Sequence, residues 1–193
     1  MMDPIRPWHR IKGHFHTKDA AFYQRWAEAV PDGETIVECG SLRGRSAACL
    51  LTALHREGKE KVRLVCIDIW PVYAPTAGHK GTALRHCKGD PLAALRMNLR
   101  EFRGRFQCVN WDSREAARLF PDLSVWGVYL DSDHSHDHLR GEIDSWLPKV
   151  KFGGRIGGHD HQKRFPGVVK AVREIFGTTY DLFGRCWEWQ VRD

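Results

Sequence analysis

The sequence predicts an α/β fold: a mostly parallel sheet of seven strands, helices on both faces, and a C-terminal antiparallel β-hairpin. Three observations carry this. From Thr35 onward, apolar runs of strand length alternate with segments of helical periodicity, the pattern of a parallel sheet covered on both sides. Polar clusters rich in Asp, Glu and His follow the strand-like runs, and strand ends are where open α/β sheets bind ligands. The last two apolar runs flank Gly184-Arg185, which reads as a hairpin.

The elements follow in order. A helix is expected over Lys18 to Ala29, with Phe22, Tyr23 and Trp26 on one stripe. Pro31-Asp32-Gly33 is a turn, and Thr35 to Cys39 a buried strand. Ser46 to Glu57 is helical, with Ala47, Leu50, Leu51 and Leu54 facing inward and Ser46 as its N-cap. Strands are expected at Val62–Ile67, Phe106–Val109, Val125–Leu130 and Arg155–Gly158. Helices are expected at Leu92–Phe102, Glu115–Leu119, Leu139–Leu147 (stopped by Pro148) and Val168–Phe176. Thr179–Phe183 and Cys186–Val191 form the hairpin. Residues 70–91 break the alternation. They hold Pro71, Pro75, Gly78, Gly81, Gly89 and Pro91, and so long a loop is usually functional; a lid is expected there, with Trp70, Tyr73, His79 and His86 shaping the choice of substrate.

The 193 residues suffice for one domain with a substantial core, residues 1–193, led by an N-terminal helical segment over 1–34. No apolar run approaches transmembrane length, and residues 1–18 lack the apolar stretch of a signal peptide. A cytoplasmic protein is expected. The net charge is +6, but the Lys and Arg residues are scattered and no nucleic-acid-binding signature occurs, so the charge reads as a basic surface. The six cysteines contain no CxxC pair; Cys39, Cys66 and Cys108 lie in apolar runs as small buried hydrophobes, not in a disulfide framework.

Between the first strand and its helix lies Glu38-Cys39-Gly40-Ser41-Leu42-Arg43-Gly44-Arg45-Ser46. Its glycines allow a tight turn and close approach to a ligand, but the spacing matches neither a dinucleotide loop nor a P-loop. The second strand ends in Asp68, a carboxylate suited to a ribose diol. The third ends Asn110-Trp111-Asp112-Ser113, offering polar groups for an adenine edge and an aromatic face for stacking.

These residues, with Asp131-Ser132-Asp133-His134-Ser135, Asp144-Ser145-Trp146-Leu147-Pro148, Gly153-Gly154 and Gly158-His159-Asp160 in order, resemble the class I S-adenosylmethionine-dependent methyltransferases. The closer resemblance is to the metal-dependent small-molecule O-methyltransferases of the macrocin and cephalosporin-biosynthesis type, and covers Thr35 to about His161. It implies a Rossmann-like sheet and a cofactor pocket lined by Glu38, Gly40, Ser41, Gly44, Ser46, Asp68, Asp112 and Ser113. It further implies oligomers. The N-terminal segment, with Trp8, His14 and His16, is expected to close over the site or to meet another subunit.

Methyl transfer to a hydroxyl needs its proton removed. A divalent cation on that oxygen lowers its pKa and a nearby base takes the proton. Asp131, His159 and Asp160 are expected on neighbouring strand tips as an incomplete coordination shell. Carboxylates favour Mg²⁺, and the imidazole admits Mn²⁺, Fe²⁺ or Zn²⁺. In the resembled family a basic residue three positions after the first metal carboxylate is the base; here that residue is His134. His136 stands where the family usually has an aromatic residue. His136 and His138 are expected at a helix start on the surface, and His161 beside the ligands or the acceptor. The expected acceptor is a small molecule carrying a sugar, polyol or phenol hydroxyl. Two alternatives stand beside this reading. His134-Ser135-His136-Asp137-His138 falls one residue short of the HxHxDH run of metallo-β-lactamase-like hydrolases, and a non-catalytic module that binds S-adenosylmethionine would share the glycine loop.

Overall fold

The computed structural model describes residues 7–70 and 89–193. The expected lid, apart from Trp70 and residues 89–91, lies outside the described residues. Among those described, seven strands form one sheet: β1 (Thr35–Cys39), β2 (Arg63–Asp68), β3 (Phe106–Asn110), β4 (Val125–Leu130), β5 (Val150–Gly158), β6 (Asp181–Phe183) and β7 (Cys186–Gln190). Their order is β3-β2-β1-β4-β5-β7-β6. Strands β1 to β5 pair in parallel; β7 runs antiparallel to β5 and to β6.

The helices are α1 (Ala20–Ala29), α2 (Arg45–Arg56), α3 (Pro91–Asn98), α4 (Ser113–Ala116), α5 (His136–Trp146) and α6 (Pro166–Phe176). Strand alternation sends successive side chains to opposite faces. Ile36, Leu64, Cys66 and Tyr129 therefore meet Phe22, Tyr23 and Trp26 of α1 and Leu50, Leu51 and Leu54 of α2 in one core. Val37, Cys39, Ile67, Val128 and Leu130 meet Leu139, Ile143 and Trp146 of α5 and Val168 and Val172 of α6 in the other. A single sheet between two helical layers leaves no place for the β-sandwich that the hydrolase alternative requires.

Local chemistry sets the helix starts. Asp90 accepts from Leu92 N and Ala93 N, and Pro91 occupies the first position of α3, where a missing N–H costs nothing. Trp26 lies against Gly127, where a Cβ would stand 2.9 Å from its ring, and donates its indole N–H to Glu188 Oε2 at 2.7 Å. Glu188 also pairs with Arg25 at 3.1 Å and with Arg155, so one buried carboxylate ties α1 to β5 and β7.

Several boundaries differ from expectation, and three of the differences bear on β5, α5 and α2. Strand β5 begins at Val150, not Arg155, because the ladder continues past an irregularity at the glycine pair, where Gly153 takes φ of 77° and the register shifts against Val125–Gly127. Helix α5 begins at His136, not Leu139. Helix α2 is capped by Gly44, with φ of 75°, and Ser46, expected as the cap, lies inside the helix and is buried.

Candidate active site

Strands β1 and β4 are neighbours at the point where the sheet order reverses, the crevice in which such folds bind ligands. The ladder continues past the strand ends: Gly40 N donates to Ile67 O at 2.8 Å, Asp131 N to Cys39 O at 2.8 Å and His159 N to Leu130 O at 3.1 Å. The tips of four strands are thereby held level. Gly40 has φ of 89°, and a Cβ there would stand 2.1 Å from Asp131 O. Only glycine fits that conformation and that contact.

The loop after Gly40 is held by its neighbours. Leu42 occupies the left-handed region at φ 44°. Its N–H donates to Asp68 Oδ2 at 2.8 Å and its carbonyl accepts from the Trp70 indole at 2.7 Å. Asp68 Oδ1 accepts from Ile69 N at 2.7 Å. Burial pushes the Asp68 carboxyl above its ordinary value, and these two amides act against the shift. Asp68 thus shapes the glycine loop.

Glu38 is fully buried. Tyr23 of α1 donates to its Oε1 at 2.9 Å, while Oε2 has no hydrogen bond of good geometry among the described residues. Burial raises the Glu38 carboxyl, with Ser41, Ser46 and Tyr23 pulling the other way. Although Ser46 is not the helix cap, its hydroxyl thus serves the loop carboxylate.

At the end of β3, Asp112 caps α4, accepting from Arg114 N at 3.0 Å and pairing with the Arg114 side chain at 2.9 Å. Ser113 donates to the buried Glu142 of α5, which also accepts from Ser132 at 2.6 Å. His138 Nε2 lies 3.2 Å from the Ser132 hydroxyl, so His138 joins this buried group instead of standing free at a helix start. The Trp111 ring is 52% exposed.

The four groups expected to do chemistry converge. His134 Nε2 lies 2.8 Å from Asp160 Oδ2 and 3.8 Å from Asp131 Oδ1. His159 Nδ1 lies 3.5 Å from Asp160 Oδ2 and 3.7 Å from Asp131 Oδ1. The His134–Asp160 contact is not aligned as a hydrogen bond, which leaves Nε2 without such a partner. Asp160 is held in the left-handed region at φ 57°, and Gln162 donates to its Oδ1 at 2.6 Å. The His134 ring stacks on Phe165 with centroids 4.3 Å apart. Gly167 lets α6 reach the same loop, since a Cβ there would stand 2.6 Å from His134 O.

Charge at the cluster is unbalanced in a telling way. Burial, with Asp160 and Glu38 adding repulsion, lifts the Asp131 carboxyl to about 7 against the pull of His159 and His134. Burial disfavours charge on His159, yet Asp131, Asp160 and Asp19 outweigh it and raise the imidazole to about 10. The same contest raises His134, where Asp160 and Asp131 overcome burial. Burial would raise Asp160, but the two imidazoles hold its carboxyl well below the usual range.

Two functional neighbours escaped the sequence reading. Asp19, just before α1, accepts from His159 Nε2 at 3.2 Å, from His16 N at 3.1 Å and from Arg185 of the β6–β7 turn. Tyr23, one helical turn on, reaches Glu38. Both side chains were legible only as parts of an amphipathic stripe. His136 instead pairs with Glu174 at 2.6 Å on the surface between α5 and α6, and His161 Nε2 meets Tyr180 Oη at 3.0 Å.

The donor set suits a divalent cation. Ligand atoms of Asp131, His134 and Asp160 lie within 4.8 Å of one another, and His159 turns Nδ1 toward the same two carboxylates while its Nε2–H rests on a third, the arrangement of a carboxylate–histidine–metal triad. Beside it, the glycine loop and the buried Glu38 carboxylate suit a cationic adenosyl cofactor.

Comparisons with known proteins bear on the family and the fold. Residues 37–161 match the family model described as a methyltransferase domain. The fold is similar to that of CalS11, a calicheamicin methyltransferase, with 18% identity, a TM-score of 0.67, and 91% of this chain and 78% of that one covered. It is similar to the O-methyltransferase NovP, with 18% identity, a TM-score of 0.67 and coverage of 91% and 80%. An S-adenosylmethionine-dependent O-methyltransferase of Thermotoga maritima matches with 13% identity, a TM-score of 0.64 and coverage of 94% and 68%. No curated protein sequence matches. No helix among the described residues is long and apolar enough to cross a membrane.

Proposed function

Because this chain belongs to the family of methyltransferase domains, we propose that it moves the methyl group of S-adenosylmethionine to a hydroxyl of a small molecule with the help of a divalent cation. The observation that carries this reading is the meeting of Asp131, His134, His159 and Asp160 at the strand tips, in backbone contact with the glycine loop through Gly40.

On the cofactor side, Gly40, Ser41 and Gly44 bring backbone close to the ligand. Glu38 Oε2 is the acceptor for its ammonium group. Asp68 faces the ribose, since a carboxylate oxygen accepts more than one hydrogen bond. Asp112 and Ser113 border the adenine, with the exposed Trp111 ring as a stacking face. Ser46 supports Glu38.

On the acceptor side, Asp131, His159 and Asp160 hold the cation, Mg²⁺ first among candidates because two of the three are carboxylates. When bound, the cation acidifies and orients the acceptor hydroxyl. His134 takes the proton at Nε2. That nitrogen is buried beside the two carboxylates, and the Phe165 ring fixes the plane of the imidazole. A base must be neutral before it accepts a proton. The two carboxylates that raise the His134 imidazole are the same two assigned to the cation.

A sugar hydroxyl has the most support as acceptor, since CalS11 is described as a TDP-rhamnose 3′-O-methyltransferase. The test is methyl transfer from radiolabelled S-adenosylmethionine to a panel of sugar nucleotides, polyols and phenols, with Mg²⁺ and with chelator. Label on a sugar hydroxyl that chelator abolishes supports the proposal. Label on a nitrogen or carbon acceptor, or transfer untouched by chelator, contradicts it.

A further inference from the structure

We propose that Asp19 is a positioning residue for the cation site: it fixes the His159 ring so that Nδ1 faces the ligand carboxylates. The inference rests on the metal reading above. Asp19 is buried, comes from the N-terminal segment, and is separated from His159 by 140 residues of chain. Its Oδ2 accepts from His159 Nε2 at 3.2 Å, from His16 N at 3.1 Å and from Arg185. Three donors on one oxygen hold the carboxylate still. Gly184, at φ 64°, sets the turn against it, since a Cβ there would stand 3.2 Å from Oδ1.

A neutral imidazole has one donor and one acceptor nitrogen, and the partner of the donor decides which is which. With Nε2–H on Asp19, the lone pair falls to Nδ1, which lies 3.7 Å from Asp131 Oδ1 and 3.5 Å from Asp160 Oδ2. The ring also packs edge-near Phe15, 5.9 Å between centroids, which limits its tilt. Arg185 pairs with the same carboxylate oxygen of Asp19. Losing such an outer carboxylate costs about 10- to 100-fold in metal affinity.

The experiment titrates Mn²⁺ alone and S-adenosylhomocysteine alone into the full chain, wild type and Asp19→Asn, by calorimetry. Asparagine keeps the size and one acceptor oxygen but loses the charge. The expected result is Mn²⁺ binding weakened about 10- to 100-fold with S-adenosylhomocysteine affinity within twofold of wild type. Unchanged Mn²⁺ affinity overturns the proposal, and so does equal loss of both ligands, which marks a purely structural residue. Wild type that binds S-adenosylhomocysteine but no Mn²⁺ overturns the metal reading itself. If Asp19→Asn does not fold, ¹⁵N histidine spectra of the Mg²⁺-loaded wild type decide. His159 protonated on Nε2 agrees with the proposal, and protonation on Nδ1 contradicts it.

Discussion

Gly40 and Asp131 touch through their backbones so closely that a Cβ on the glycine would stand 2.1 Å from the aspartate's carbonyl oxygen. The loop assigned to the cofactor and the residue assigned to the cation are therefore one mechanical unit across the β1–β4 crevice. Gly40→Ala must either move Asp131 or break the turn, and its φ of 89° adds strain for any side chain. The variant is expected to lower the melting temperature and to weaken both S-adenosylhomocysteine and Mn²⁺ binding. Calorimetry of the two ligands checks this; loss of only one would separate the two halves.

His134→Gln removes the proposed base while keeping a polar side chain beside Phe165. Losing a general base typically slows the chemical step by ~10²–10⁴. The expected outcome is a fall in kcat of that order with S-adenosylhomocysteine affinity unchanged. A variant that turns over at the wild-type rate assigns the proton transfer elsewhere.

Tyr23→Phe deletes the hydroxyl that meets Glu38 Oε1 at 2.9 Å. A buried carboxylate whose other oxygen already lacks a good partner is then left with less to offset its burial, at a cost of about 1–3 kcal/mol. Urea unfolding of the ligand-free protein measures it. Stability equal to wild type would mean that the hydroxyl adds nothing to the Glu38 environment.

The raised His159 imidazole has a definite sign in stability. Its folded value of about 10 lies above the ordinary 6.5, so its stabilising charge is fully present below pH 6.5 and is lost as pH rises toward about 10. Metal-free protein should therefore melt at progressively lower temperature over that window. His159→Gln should lack this component. Parallel pH profiles for the two proteins would contradict the shift.

The architecture was readable because each strand is an apolar run bounded by turn residues, and the tips at Glu38, Asp68, Asp112, Asp131 and His159 follow from the strand ends directly. Ser46 was misplaced because a left-handed glycine competes with serine for the cap, and local sequence does not show which prevails. The early start of β5 is hidden because a glycine pair marks an irregularity inside a strand as readily as a turn, and Gly153 is left-handed in either case. Asp19, Tyr23 and Arg185 reach the site only through tertiary packing. Residues so far apart in the chain leave no periodic trace of their contact, and buried polar partners look like ordinary helix and turn positions until the fold brings them together.

The proposed chemistry needs two adjoining sites, one for a sulfonium cofactor and one for a cation. Calorimetric titration of S-adenosylhomocysteine with and without Mg²⁺, beside a methyl-transfer assay under both conditions, tests it most directly. The predicted result is cofactor binding in both conditions and turnover only with Mg²⁺. Failure of S-adenosylhomocysteine to bind at millimolar concentration, or full turnover in the presence of chelator, would contradict it.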